Sequence, residues 1–323
     1  MRAERGAVLV VGGTGFIGSA VVRELLTPSG GGVSDVRVLA RRPLPDWMTS
    51  AGARRIPADL LDPASLEGCC DGVGTVLHLA SYVGRDPALC EAVNERGTAA
   101  LAAAARAAGT GRLLYVSTAS VYGRGPHRGA AEGRLPTAPA SPASTSRLAA
   151  EATVLDGGGI VLRPHLVYGP GDKWFVPTVC RLLRTVPVWA DGGSARASLV
   201  GVRDLARVVT AFAARDWSGE HGGVHHVNHP RPVKFRTVVG QLCRHLGIAP
   251  PGSDLSRRAH RELTARVLPQ LSDHQHALLT EDHWYDSSGV WARLGLSPGP
   301  GFAAGLVPGL PWYRRHLAGL HLV

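Results

Sequence analysis

Near the start of the chain, Gly12-Gly13-Thr14-Gly15-Phe16-Ile17-Gly18 contains both Gly-x-Gly-x-x-Gly and Gly-x-x-Gly-x-x-Gly. Glycine suits a backbone that must turn sharply and pass close to a ligand, and free amides at the start of a following helix attract negative charge. The chemistry that needs both is the grip on a dinucleotide pyrophosphate, with Gly12, Thr14, Gly15, Phe16 and Ile17 as contacts. A glycine-rich turn without a ligand is the alternative reading. Further on, Leu39-Ala40-Arg41-Arg42 closes a second apolar run. A unit that takes NAD normally presents a carboxylate there to the ribose hydroxyls, whereas this chain presents two guanidiniums. Planar arginine donors bind phosphate bidentately, so Arg41 and Arg42 predict NADP(H), against the plainer reading of a solvated arginine pair. His221, His225, His226 and His229 also lie close together. Residues 223–227 read as a strand, whose alternate side chains face opposite ways, so these histidines are not expected to share a metal ion. Trp284-Tyr285 and Trp312-Tyr313 can line a flat aromatic pocket or anchor the core.

The elements that must position these residues follow from periodicity. Residues 8–11 form a short apolar run and residues 16–26 carry helical spacing, so the glycine turn joins a strand to a helix. Residues 36–39, 55–58, 75–79, 113–117 and 160–163 are further strand candidates, separated by helix-like stretches such as 89–108 and 144–155. This alternation predicts an α/β fold: a Rossmann-type, doubly wound parallel sheet with a smaller C-terminal substrate-binding lobe. Residues 123–142, rich in Gly, Pro and Ala, read as a long surface loop. Residues 202–214 and 235–246 read as helices, and residues 223–228 as a strand returning to the sheet. We therefore expect a nucleotide-binding unit over residues 1–170 and a mainly substrate-binding lobe over residues 171–323.

Composition narrows the partners. The net charge of +10 comes almost wholly from arginine, with Lys173 and Lys234 the only lysines, and the arginines are scattered. Scattered charge lacks the clustered footprint of a nucleic-acid binder but suits a polyanionic cofactor and an acidic or flat aromatic substrate. Cys69, Cys70, Cys90, Cys180 and Cys243 show no paired spacing, which argues against a disulfide framework or a zinc ribbon and for a reducing cytoplasm. No apolar run approaches the ~20 residues of a membrane span, and the first strand leaves no room for a signal peptide. A monomer or a homodimer fits equally well.

The order of further landmarks resembles the extended short-chain dehydrogenases, the group of nucleotide-sugar epimerases, dehydratases and many ketoreductases. Beside the glycine turn, Asp59-Leu60 resembles that family's adenine contact. His78-Leu79-Ala80-Ser81 resembles the stretch along the cofactor ribose, and Asn94 with Gly97-Thr98 the following helix. Ser117-Thr118-Ala119-Ser120-Val121-Tyr122-Gly123 is similar to the segment whose second residue, here Thr118, holds the active-site Ser/Thr position. Arg163-Pro164 and Val167-Tyr168-Gly169-Pro170 complete the set, and the resemblance runs from about residue 7 to about residue 250. It implies Leu79, Ala80, Ser81, Asn94, Ser117, Arg147, Pro164 and His165 as cofactor contacts, and Tyr82, Ser120 and Tyr122 as substrate contacts.

One departure matters. The family carries a Tyr-x-x-x-Lys pair on the next helix, and with Pro142 and Glu151 in their family places the corresponding residues are Ala143 and Arg147. The lost phenol would act as general acid, worth roughly 10²- to 10⁴-fold. Arg147 can still meet ribose hydroxyls, or can pair with Glu151 one turn on. Thr118 can polarise a carbonyl, so the proton must come from elsewhere. A phenol beside the reacting ketone, with a pKa near 10, would serve. The resemblance thus implies NADPH-dependent reduction of an aromatic polyketide ketone of angucyclinone type in antibiotic tailoring. A nucleotide-sugar epimerase, dehydratase or reductase, and a non-catalytic NADP-binding regulator, are the other readings.

Overall fold

In the computed structural model, which describes residues 6–27, 33–215, 217 and 222–323, the first apolar run becomes strand β1 (Ala7–Val11), buried at every position. The glycine turn leads to helix α1 (Phe16–Leu25), then β2 (Val36–Leu39), the short α2 (Asp46–Ser50), β3 (Arg54–Ile56) and β4 (Val73–His78). Helix α3 (Pro87–Cys90) runs through a π-helical turn, Glu91–Arg96, into α4 (Gly97–Ala107). There follow β5 (Leu113–Val116), β6 (His127–Ala130), α5 (Pro142–Asp156), β7 (Ile160–Arg163) and β8 (Leu166–Tyr168). The rest comprises α6 (Phe175–Thr185), β9 (Val188–Ala190), β10 (Arg196–Ala197), β11 (Leu199–Gly201), α7 (Val202–Ala214), β12 (Val224–His226), β13 (Val233–Lys234) and α8 (Phe235–Leu246). The last elements are β14 (Ser253–Leu255), α9 (Arg257–Val267), α10 (Asp273–Thr280), β15 (His283–Tyr285), α11 (Ser288–Leu294), α12 (Phe302–Leu306) and α13 (Leu310–Ala318).

The central sheet has seven strands in the order β12-β7-β5-β4-β1-β2-β3, all parallel. Such a sheet needs cover on both faces, and β1 shows how alternation supplies it. Val8 and Val10 point into the core built by α1 and α7, whereas Leu9 and Val11 point into the core built by α4 and α5. Helix α7 lies beyond residue 170 in the chain yet packs on α1, and α11 adds Val290, Trp291 and Leu294 to the same core. A third core, around Tyr168, Phe175, Phe235 and Tyr313, holds the C-terminal lobe together.

The stretch 123–142 is not all loop: it contains β6, the edge of a second sheet ordered β13-β10-β15-β6. His-Arg-Gly-Ala is too short and polar to show strand periodicity, and its order comes from a distant partner, with His127 opposite His283. Among the described residues no helix is long and apolar enough to cross a membrane.

Candidate active site

The glycine turn is built for close approach. Gly12 sits at φ +82°, and a Cβ there would lie 2.5 Å from the Ala80 backbone nitrogen; one on Gly18 would lie 2.0 Å from the Gly12 carbonyl oxygen. The turn, the start of α1 and the end of β4 therefore meet backbone to backbone. No side chain caps the N-terminus of α1, so its first amides are left for an anion. Beside the turn a hollow of about 420 Å³ is lined by Gly12, Thr14, Arg41, Asp59, Leu60, Ala80, Ser81 and Tyr82. The Arg41 guanidinium, 70% exposed, stands 3.6 Å from Asp59 at its rim. A pair so exposed is weak, which leaves Arg41 free to turn toward a phosphate. Arg55 donates to the carbonyls of Ala40 and Arg41 at 3.0 and 2.7 Å and fixes the end of β2.

A larger cleft, about 590 Å³, continues from Thr14, Gly15, Phe16 and Ile17 between the sheet and the lobe. Thr118, Ser120, Ala143, Arg147 and His165 line it from the sheet side; Val83, Lys173, Trp174, His274, Gln275 and Leu278 line it from loops and the lobe. Thr118 Oγ1 accepts the Ser120 amide at 3.1 Å, so its own hydroxyl proton remains free to donate. Ala143 and Arg147 sit one turn apart on α5, whose start is fixed by Ser141 and Ser144 in a capping box with Pro142 in the first turn. Arg147 donates to the Val116 carbonyl at 3.0 Å, at the end of the strand that leads to Thr118. His165 is 9% exposed, and neither of its ring nitrogens has a partner in the protein. Burial, reinforced by His283, His127 and His274, holds its pKa well below that of a free imidazole.

A model of the NAD dependent epimerase/dehydratase family matches residues 8–228. The chain belongs to that family. It is 27% identical to a 2-alkyl-3-oxoalkanoate reductase of Stenotrophomonas maltophilia (strain K279a), over 93% of this chain and 97% of that protein. It is 28% identical to a 4-hydroxy-2-methyl-3-oxo-4-farnesyl-3,4-dihydroquinoline-1-oxide ketoreductase of Stigmatella aurantiaca, over 74% of this chain and 73% of that protein. The solved structure of MoeE5 in complex with UDP-glucuronic acid and NAD superposes with a TM-score of 0.74 at 28% identity, covering 97% of this chain and 100% of that one. As in the epimerase/dehydratase family generally, the tract from the glycine turn into the cleft is a site for a nicotinamide dinucleotide, and the glycine cradle fits one.

Several residues expected at the site stand behind its walls. Asn94, 1% exposed, accepts the Tyr82 amide at 2.7 Å and donates to the Tyr82 carbonyl and Ser146 Oγ, each at 2.9 Å, so it holds the loop after β4 in place. Leu79 binds Val11 through its amide, and Pro164 accepts the Ala119 amide at 2.8 Å. Ser117 is 1% exposed, and Arg42 is exposed at the end of β2 without lining either hollow. Tyr122 does not reach the cleft. Its phenol accepts from Arg163 at 2.8 Å and lies 2.6 Å from His226 Nε2. Because His226 Nδ1 must donate to the Asp286 carbonyl, Nε2 is the acceptor and Tyr122 the donor.

The Arg147–Glu151 pair that the spacing allowed as an alternative does not form. Glu151 is paired instead with Arg163, across from α5 to β7, with Nε at 3.1 and 3.2 Å from its two carboxylate oxygens and both residues buried. An arginine already bound to the Val116 carbonyl leaves the buried carboxylate to the nearer buried cation. His225 packs on Phe212, His226 faces Tyr122, and His229 reaches the Gly299 carbonyl, so these histidines diverge; His221 lies outside the described residues. Tyr285 and Tyr313 are core anchors, the latter binding Asp172 and the Gly169 amide.

The lobe side of the cleft was missed in the sequence. Helix α10 brings His274, Gln275 and Leu278 to the wall, its start fixed by a Ser272–Gln275 capping box. The Ser-x-x-Gln spacing marks that helix start in the sequence, but nothing local says that the helix folds back onto the cleft. Arg85, on the loop after β4, donates to Gln270 and Gln275 and ties that loop to the lobe. Asp172 positions Trp174: its carboxylate accepts the amides of Trp174, Phe175 and Val176 at 2.9, 2.7 and 2.9 Å at the start of α6.

Proposed function

We propose that the chain is an NADPH-dependent ketoreductase acting on an aromatic polyketide ketone of angucyclinone type, with a phenol next to the reacting carbonyl. The observation that carries this reading is the pairing of a free Thr118 hydroxyl with Ala143 on the same cleft. In family terms Ala143 and Arg147 take the places of the tyrosine and lysine, so a carbonyl can be polarised but no side-chain phenol is there to protonate it. When bound, the reduced nicotinamide supplies a hydride. Thr118 would donate to the carbonyl oxygen as negative charge gathers there, and Arg147, tied to the Val116 carbonyl at 3.0 Å on the same cleft, would be the residue to hold the ribose hydroxyls. The apolar faces of Val83, Trp174 and Leu278 suit a flat ring system. Arg41 and Arg42, with no carboxylate beside them on β2, favour the extra phosphate of NADP(H). Two ketoreducing relatives accord with the reaction class.

The likeness to a structure holding UDP-glucuronic acid and NAD favours a second reading, a nucleotide-sugar modifying enzyme. A sugar hydroxyl has no acidic neighbour to stand in for a tyrosine, which weighs against it. The test is to follow reduced-cofactor absorbance with a panel of hydroxylated aromatic ketones and of nucleotide sugars. The reading expects turnover only with the ketones, and its near loss when the adjacent phenol is methylated. Turnover of a sugar, or undiminished turnover of the methyl ether, overturns it.

A further inference from the structure

The start of α1, where the glycine turn leaves its amides uncapped, is faced by a turn of the lobe. Gly171, at φ +100°, packs directly against it: a Cβ there would lie 2.9 Å from the Phe16 ring and 3.6 Å from Phe16 Cα. This close approach seats residues 171–174, between β8 and α6, on the first residue of α1. Thr14, Gly15, Phe16 and Ile17 on one side and Lys173 on the other line the same cleft.

Among the described residues the arginine and lysine side chains lining that cleft are Arg147 and Lys173. Arg147 is tied to the Val116 carbonyl at 3.0 Å. Lys173 is exposed, and no described residue gives its ammonium a hydrogen bond or an ion pair. The neighbouring carboxylate is turned away from it: Asp172 is buried, and its oxygens accept the amides of Trp174, Phe175 and Val176 and the Tyr313 phenol. Those bonds, with the Asp172 amide donating to the Gly169 carbonyl at 3.1 Å, fix the backbone on both sides of Lys173. Lys173 lies two residues past Gly171, at most about 7 Å of chain from the contact with Phe16. Its ammonium rides on a flexible four-carbon stem, so the charge can reach the space over the free amides of α1.

We propose that Lys173 is a cofactor-binding residue, its ammonium meeting the dinucleotide pyrophosphate from the lobe side of the cleft while the glycine turn meets it from the sheet side. The amides of the turn and the end of the helix dipole carry only partial charges, and neither matches a doubly anionic pyrophosphate. A full positive charge facing them from a rigid turn makes up the difference, as a point charge rather than a bidentate fork. The pyrophosphate then bridges the nucleotide-binding unit and the lobe, and it steadies Trp174, the next residue on the cleft wall. This role differs from that given to Arg41 and Arg42, because the pyrophosphate is common to NADPH and NADH.

Calorimetric titration of the intact chain with each dinucleotide, at low and at moderate salt, tests it in wild type, Lys173→Met and Lys173→Arg. Lys173→Met is expected to weaken NADPH and NADH by the same factor, roughly tenfold, while Lys173→Arg keeps most of the affinity. The loss of NADPH affinity on adding salt should be shallower in Lys173→Met than in wild type, because one charge contact is gone. Lys173 is exposed, so both variants should keep the wild-type melting midpoint; if Lys173→Met does not, Lys173→Gln replaces it in the same titrations. Wild-type affinity in the uncharged variant overturns the proposal and leaves Lys173 a solvated side chain. A loss confined to NADPH also overturns it, by moving the contact to the extra phosphate. No turnover is read, so these outcomes stand apart from the ketoreductase reading; folded wild type that takes up neither dinucleotide sinks the cofactor site itself, and this proposal with it.

Discussion

At the scale of single residues, the account places carbonyl chemistry on Thr118 and cofactor choice on Arg41 and Arg42. Thr118→Val keeps the shape of the side chain and removes a hydroxyl whose proton is free to donate into the cleft. It is expected to lower kcat by roughly 10²-fold, with NADPH affinity unchanged in calorimetry. Replacing both Arg41 and Arg42 by Ala removes charge-assisted donors from the end of β2, so NADPH affinity should fall by about tenfold or more while NADH affinity stays put. The double variant Ala143→Tyr with Arg147→Lys, which installs the pair proposed to be absent, puts a phenolic acid into the cleft. That variant should reduce the methylated ketone that wild type does not, and steady-state rates on the two ketones check this. The glycine turn was legible because its geometry depends on local spacing. The free state of His165 and the engagement of Tyr122 were not, because each depends on partners brought in from Asn228, His226 and Asp286, far along the chain.

Elements decide which of these side chains reach the cleft. Helix α5 is locked to β7 by the buried Glu151–Arg163 pair, and Arg163 also holds Tyr122. Removing one charge leaves the other buried and unpaired, so Glu151→Ala should cost about 3–5 kcal/mol of unfolding free energy in a denaturant titration. Strands β1, β2 and β7 and helices α7 and α8 were readable because each is a local apolar pattern of the right period. Strand β6 was not, since His-Arg-Gly-Ala carries no such pattern and is ordered only by β15. The same holds for α10: its capping box is written in the sequence, but its place against Phe16 and Thr118 is set by how the whole lobe folds back.

For the whole molecule, burial of imidazoles links stability to pH. Burial holds His276 and His283 to about 4 and His78 to about 3, well under the ordinary value of 6.5. Over that interval the unfolded chain binds more protons than the folded one, so stability rises with pH there. It is fully present above about pH 6.5 and is lost as pH falls toward 4, each such imidazole giving up at most roughly 1.4 kcal/mol for every pH unit crossed. Thermal melts at a series of pH values should therefore show the midpoint dropping steadily below neutrality, and His283→Phe should flatten that slope. A midpoint unchanged between pH 7 and pH 4.5 would contradict this.

The doubly wound sheet holds two things together: uncapped amides at the start of α1 with a basic strand end beside them, and a cleft lined, among the described residues, by the Thr118 hydroxyl and no phenol. Parallel calorimetric titrations of the intact chain with NADPH and with NADH test that arrangement most directly. The account predicts one site per chain, with NADPH held at least tenfold more tightly than NADH. Equal affinity for the two, or no heat of binding from either on folded protein, would contradict it.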